Sequence, residues 1–317
     1  MAKQDIIVIG ASAGGVAALQ TLVAGFPADL PAAVFIVLHS GAGSKTQLPA
    51  ILSRAGSLPV TLAMDSAPIE HGNIYVAKPD VHLILEQGHM HLQSGPRENF
   101  QRPAINPLFR SAAIAYGERV AGVLLTGLGD DGVPGLWEVK RRGGVTIIQD
   151  PEEAEFPEMP RNAADAVSID YPISLSDMPA LLTRLAREGC EPEEWSGDAE
   201  GGTHVTLLTC PECQGVLSTH PAGKLPEFAC IIGHRYSART LHDAITIADE
   251  NALWAAVRAL EQSAMFARQY ARELWPDMER EAQRKAEQAD VIRKLLKRAQ
   301  VPAELSATET EAALMKS

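Results

Sequence analysis

A serine follows an apolar run in Ile9-Gly10-Ala11-Ser12-Ala13-Gly14-Gly15, which reads literally as G-x-S-x-G. A sharp turn from strand to helix at such a place exposes the hydroxyl. It also aims backbone N–H groups and the helix dipole at developing negative charge. The glycines allow the tight turn and the close approach of a substrate. The same residues lie near the G-x-G-x-x-G dinucleotide fingerprint, but Ser12 replaces the second glycine, where backbone must approach the pyrophosphate. No acidic residue closes a second strand about 20 residues on, as ribose binding requires. That run ends instead in Leu38-His39-Ser40. Taken alone, the motif leaves nucleophilic catalysis and phosphate binding evenly matched. An α/β-hydrolase is excluded, because its elbow lies deep in the chain and its acid precedes its histidine.

His39 stands at the carboxyl end of the second apolar run, where open parallel sheets gather their chemistry, so it is the candidate base. The candidate acid lies in Leu125-Thr126-Gly127-Leu128-Gly129-Asp130-Asp131-Gly132, an apolar strand running through a glycine-rich loop into a helix. A carboxylate there orients an imidazole and stabilises its charged form. Capping of the following helix is the commoner role for Asp at such a position, and the residues alone do not choose between Asp130 and Asp131. A second constellation is Cys210-Pro-Glu-Cys213 followed by Cys230 and His234, a C-x2-C-x16-C-x3-H spacing in two knuckle-like halves. Three thiolates and an imidazole suit a closed, structural tetrahedral zinc site rather than a catalytic one. Cys190 stands apart as a bystander.

The elements that must position these residues follow from periodicity. Runs at 6–9, 33–38, 73–77, 122–126 and 146–148 read as buried strands, and 16–25, 47–55, 106–116 and 132–142 as helices. Continuous apolar strands alternating with helices predict an α/β domain, a doubly wound, mainly parallel sheet with helices on both faces. Residues 82–85 and 89–92 read as an appended hairpin. The expected organisation is a catalytic domain at 1–186, an acidic glycine-rich linker at 187–204, the Cys-rich zinc-knuckle-like module at 205–238, and a helical hairpin and tail at 239–317. Pro276 breaks the hairpin, with a second, charged helix from Asp277 to Ala299. Its first helix carries Ile245, Ala248, Ala252, Ala256, Ala259 and Ser263 on one narrow face, with Leu253, Val257, Leu260, Ala264 and Ala267 beside it. Such helices also suit oligomerisation. A net charge of −12 argues against nucleic acid as a partner. No run is long and apolar enough to insert in a membrane, and no signal peptide is evident, which predicts a cytoplasmic protein.

Together these motifs resemble the catalytic domain of the chemotaxis protein-glutamate methylesterases, the CheB family, over about residues 4–186. The resemblance rests on Gly10–Gly15, His39, Leu125–Gly132, Arg102-Pro103 followed by Leu108-Phe109-Arg110-Ser111, and Met159-Pro160-Arg161. It implies a serine hydrolase that demethylates glutamate γ-methyl esters on chemoreceptor-like proteins and in some members deamidates glutamine. It further implies Ser12, His39 and Asp131 as the triad, with no catalytic cofactor. Ala13 and Gly14 would hold the oxyanion, and Arg102 and Leu128 would border the substrate. Ala13, Leu128, Asp130 and Ser40-Gly41 depart from the usual family residues without touching the triad. The family's usual N-terminal receiver is expected to be missing, so control in cis by phosphorylation is expected to be missing too. Residues 1–186 are expected to be active alone on a small ester, and removal of 187–317 is expected to weaken action on a protein substrate much more than on the small ester. A non-catalytic docking module of the same fold, and an esterase for another methyl ester, are the competing readings.

Overall fold

The structure, a computed structural model, describes residues 2–39, 47–190, 202–222, 224, 226–271 and 278–299. The chain begins β1 (Ile6–Ala11), α1 (Gly15–Ala24), β2 (Ala33–Leu38), α2 (Leu48–Ala55), β3 (Val60–Leu62), β4 (Ala67–Pro68) and β5 (Ile74–Val76). The hairpin β6 (His82–Glu86) and β7 (His89–Gln93) follows, then α3 (Ile105–Tyr116), β8 (Val120–Leu124) and α4 (Val133–Arg141). β9 (Val145–Gln149), α5 (Glu158–Ala166), β10 (Tyr171–Ile173) and α6 (Met178–Glu188) complete this part. Seven strands form one sheet in the order β10-β9-β8-β1-β2-β5-β3, and every pairing in it is parallel.

The reason lies in β1, whose six residues are all buried. Successive side chains on a strand point to opposite faces. Ile7 and Ile9 accordingly join α1, α2 and α6 in one core, while Ile6 and Val8 join α3, α4 and α5 in the other. Two apolar faces demand two helical layers, and the doubly wound arrangement supplies them. The hairpin at 82–93 also forms, joined by β4 into a separate three-stranded sheet.

Residues 205–238 are those expected to form the Cys-rich, zinc-knuckle-like module. Residues 204–237 form a four-stranded antiparallel sheet of β11 (His204–Thr209), β12 (Val216–His220), β13 (Glu227–Cys230) and β14 (Arg235–Ser237). One compact unit runs from residue 1 to Leu241 and includes this sheet; a second begins at His242. α6 continues through Glu188, so the linker expected from 187 starts later, and its residues 191–201 lie outside the described residues. Also outside them are the break at Pro276, Asp277, the tail from 300 and Ser40-Gly41.

α7 (Ala238–Phe266) ends in a π-helical turn at Ala267–Ala271, and α8 (Met278–Ala299) follows. Within the second unit α8 packs back antiparallel. Ala264 and Ala267 meet Ala282, and Glu261 pairs with Arg293. The buried apolar residues of α7 are Leu241, Ala244, Val257 and Ala264, with Ala267 in the π-helical turn. On the narrow face read from the sequence Ala248, Ala252, Ala259 and Ser263 are exposed and Ile245 and Ala256 half-buried, whereas Val257, Ala264 and Ala267 are among the residues read beside it. Alanine spacing alone did not distinguish two adjoining faces of one helix.

The start of α4 is secured from another element. Neither Asp130 nor Asp131 caps it; the side-chain oxygen of buried Asn106, on α3, accepts the N–H groups of Gly132 at 3.0 Å and Gly135 at 2.9 Å. Buried donors left unpaired cost about 1–3 kcal/mol. Asn106→Ala should lower stability by about that much. Denaturant titration of the full chain checks it through a lowered midpoint, and an unchanged midpoint rejects it.

Candidate active site

Ala11 and Leu38 pair across β1 and β2, so the next residues, Ser12 and His39, emerge side by side at the carboxyl ends of adjacent strands. The His39 N–H continues the ladder to the Ala11 carbonyl at 3.2 Å. On the other side Ser12 donates its N–H to the Thr126 carbonyl at 3.1 Å, just beyond β8. The chain then turns into α1 through Gly14, whose φ of 73° lies in the left-handed region that favours glycine. Gly127 allows the approach of the two loops. A Cβ there would lie 2.8 Å from the Ser12 Cβ and 2.6 Å from Met159 Cε. Thr126 and Met159 hold this packing. Thr126 Oγ1 accepts the Phe156 N–H at 2.9 Å, and Met159 donates its N–H to the Gly127 carbonyl at 3.0 Å.

The His39 ring joins two residues. Its Nδ1 lies 3.1 Å from Ser12 Oγ, and its Nε2 lies 2.8 Å from Asp131 Oδ2. A carboxylate only accepts, so Nε2 carries the proton and Nδ1 presents its lone pair to the serine hydroxyl. This is the geometry of a nucleophile, a base and an orienting acid. Asp131 is 3% exposed. Its Oδ2 also accepts the Ile105 N–H, at the first turn of α3, at 2.6 Å; its Oδ1 accepts the Asn99 amide at 3.3 Å. Burial pushes its pKa up. The His39 hydrogen bond and charge, the Ile105 N–H and the Asn99 amide more than offset this and hold the carboxyl below its ordinary range. Asp130 differs. Its Oδ1 accepts the Thr240 hydroxyl at 3.1 Å, and burial raises its pKa. The structure thus brings Asp131, and not Asp130, to His39.

The remaining candidates separate. With the Ser12 N–H committed to Thr126, Ala13 and Gly14 are the next donors at the start of α1, where first-turn N–H groups have no intrahelical acceptor. Leu128 is half exposed on the Asp131 loop. The Arg102 guanidinium instead grips Asp80 Oδ1 at 2.9 Å and the Gly95 carbonyl at 2.8 Å, and forms no hydrogen bond to Ser12, His39 or Asp131 among the described residues. Cys210, Cys213, Cys230 and His234 gather at the β11–β12 and β13–β14 turns with their ligand atoms within 4.8 Å of one another, a group able to hold a metal. Sequence reasoning missed Asn99, the Ile105 N–H, and the packing roles of Thr126, Gly127 and Met159. The last three stood inside recognised motifs. Asn99 had no local signal, since its partner Asp131 is 32 residues away.

The two carboxylates offer a direct check. Asp131→Asn should reduce ester hydrolysis by about 10⁴-fold, because the amide cannot stabilise the Nε2-protonated, positively charged ring. Asp130→Asn should cost far less. Steady-state rates of both variants settle the ranking, and the reverse order rejects the assignment.

Three comparisons bear on this geometry. The family model described as CheB methylesterase matches residues 7–182. A Leptospira interrogans protein named as a protein-glutamate methylesterase/protein-glutamine glutaminase is 38% identical over 188 residues, covering 59% of this chain and 97% of that one. An Anaeromyxobacter dehalogenans protein of the same type is 37% identical over 186 residues, covering 59% of this chain but 54% of its own length. The crystal structure of the Thermotoga maritima CheB methylesterase catalytic domain aligns with a TM-score of 0.55 and 31% identity, over 58% of this chain and 99% of that one. The matched stretch contains both parallel-strand ends that carry Ser12 and His39, as well as the loop that carries Asp131, and the chain belongs to the CheB methylesterase family.

Proposed function

We propose that the protein is a serine hydrolase that removes methyl groups from glutamate γ-methyl esters on chemoreceptor-like proteins. The observation that carries this reading is the Ser12–His39–Asp131 relay, set at 3.1 and 2.8 Å inside a CheB methylesterase domain. Ser12 Oγ attacks the ester carbonyl while His39 Nδ1 takes its proton. The tetrahedral oxyanion is held by the N–H groups of Ala13 and Gly14. His39 then returns the proton to the departing methoxide, releasing methanol and leaving a glutamyl ester on Ser12. Water, deprotonated by His39, attacks that ester and restores the free hydroxyl with a glutamate product. Asp131 keeps Nδ1 directed at Ser12 and stabilises the imidazolium. Leu128 offers an apolar border to the substrate, and Arg102 braces the loops at 80 and 95. Relatives named as glutaminases make glutamine deamidation a second reaction, since a side-chain amide passes through the same tetrahedral state.

The Cys210, Cys213, Cys230 and His234 group fits zinc as a structural ion that does not touch the ester. Zinc bonds of about 2.3 Å to sulfur and about 2.0 Å to nitrogen, at tetrahedral angles, set ligand atoms about 3.5–3.8 Å apart. Here Cys213 Sγ lies 3.6 Å from Cys230 Sγ, and His234 Nδ1 lies 3.5 Å from Cys230 Sγ and 3.7 Å from Cys210 Sγ. The other ring nitrogen of His234 faces Glu212 Oε2 at 3.6 Å, the usual outer carboxylate of a metal-bound imidazole. The four-stranded sheet buries little apolar surface beyond Leu217, Ala229 and Tyr236, so a metal replaces the core it lacks. No helix among the described residues is long and apolar enough to cross a membrane. This reading keeps the protein in the cytoplasm, where thiols stay reduced for a metal. α7 and α8 suit docking to a receptor or to a second copy.

Methanol release from methylated receptor tests the reaction. Ser12→Ala should reduce it by at least about 10⁴-fold while leaving the thermal transition in place; turnover equal to the parent rejects the mechanism. Elemental analysis of protein purified without chelator should find about one zinc per chain, and its absence rejects the metal site.

A further inference from the structure

Strand β14 begins directly after His234 and lies against Glu98, Asn99 and Phe100, three residues that belong to the loop before α3. The Asn99 N–H donates to the Arg235 carbonyl at 2.9 Å. The Phe100 ring packs on Tyr236, centroids 5.4 Å apart, and the Tyr236 hydroxyl stands 3.2 Å from Cys210 Sγ. Arg110 of α3 reaches Glu98 at 2.6 Å and Glu227 of β13 at 3.4 Å, and Arg235 holds Glu227 at 2.5 Å. Glu98 and Glu227 are both buried, so this ion network is interior to the contact. The Cys3His sheet is thus seated on the peptide that carries Asn99.

The Asn99 side chain is 8% exposed and joins the two sides. Its Oδ1 accepts the Ser237 N–H of β14 at 3.0 Å, and its Nδ2 donates to Asp131 Oδ1 at 3.3 Å. Chemistry fixes this orientation: a backbone N–H only donates and a carboxylate only accepts. Hydrogen bonds therefore run without a gap from Ser237 through Asn99, Asp131 and His39 to Ser12. Asn99 and Phe100 hold φ values of 49° and 63°, a conformation that Asn tolerates but that a bulky residue such as Phe100 keeps only when its surroundings enforce it. The contacts that do so come largely from β14.

We propose that Asn99 is a positioning residue for Asp131, and that the Cys3His module, by holding Asn99 through β14, is an integral part of the active site. The proposal rests on the reading of Ser12, His39 and Asp131 as the catalytic groups. Asp131 Oδ2 serves His39 and Ile105, whereas Oδ1 is held by Asn99; without that bond the carboxylate is free to swing about its terminal torsion and lose alignment with Nε2. This departs from the expectation that residues 1–186 suffice for hydrolysis. In such a fragment Asn99 would lose the acceptor for its N–H, the donor to its Oδ1 and the aromatic cover of Phe100.

The test reads phosphonylation of Ser12 by a fluorophosphonate in the full-length chain, separating the maximal rate, kinact, from the binding constant, KI. Labelling needs an assembled nucleophile but no methyl ester. A parent chain that labels at Ser12 yet releases no methanol therefore refutes the methylesterase reading and leaves this one standing. Asn99→Gly accepts the left-handed backbone and removes both side-chain bonds. Asn99→Asp also suits that backbone and keeps the acceptor for Ser237, but removes the donor to Asp131, so it reports on the link even where Asn99→Gly loosens the docking. Both should lower kinact by about tenfold or more with KI unchanged. Cys213→Ser, on the knuckle and remote from Ser12, should also lower kinact. Combined with Asn99→Gly it should add no further loss, because both act through one link. Parent kinact in Asn99→Asp, parent kinact in Cys213→Ser, or losses that multiply in the double variant each overturn the proposal.

Discussion

A carboxylate taken out of water must be surrounded by donors, and the Asp131 side chain obeys that requirement at every contact. A buried anion without partners would neutralise and lose its hold on the imidazole. Three donors reach it from three segments: the ring of His39 after β2, the first N–H of α3 at Ile105, and the amide of Asn99. The helix start contributes its dipole as well as its N–H. Loop, helix and strand end are therefore tied to one pair of oxygens. The relay from Ser12 onward depends on that tie, because an imidazole with a mobile partner has no fixed lone pair to offer.

The sheet serves the same end by bringing chain ends together. Parallel strands share one carboxyl edge, so β1, β2 and β8 deliver Ser12, His39 and the Asp131 loop to a single place without any contact between residues close in sequence. Close approach at that edge is bought with missing side chains. Gly127 leaves room for Ser12 Cβ and Met159, and Gly14 turns the chain so that α1 begins immediately behind the serine. Asn106 then ties the start of α4 to α3, which holds Gly132, the residue after Asp131, beside the helix start whose Ile105 N–H donates to Asp131.

The small C-terminal sheet solves a different problem. It has few apolar residues to bury, and its three cysteines and His234 stand at two turns that the strands bring face to face. It is supported by the α/β part beside it, through Phe100 on Tyr236 and the Arg110–Glu98–Glu227–Arg235 network with its two buried carboxylates. A module stabilised partly by its neighbour constrains that neighbour in return, and the constrained residues here are those around Asn99.

The sequence by itself determined much of the architecture. Short apolar runs such as 33–38, alternating with helical segments, read as strands buried on both faces, and they required helices on each side of a parallel sheet. Local motifs also carried Ser12, His39, the loop at 125–132 and the Cys3His spacing, because each is a short stretch whose chemistry is legible in isolation. Which of two adjacent carboxylates meets the histidine was decided by tertiary structure. Asp131 turns inward to His39 and Ile105 while Asp130 turns to Thr240, partners that the end of β2, α3 and α7 supply from outside the loop. The burial of Ala264 and Ala267 was likewise set by where α8 lies, since neighbouring alanine faces are equally apolar. The bridge through Asn99 was invisible for the same reason. A hydrogen bond between residues 138 positions apart, as between Asn99 and Ser237, leaves no periodicity or spacing to read, and only the packed chain brings its donor and acceptor together.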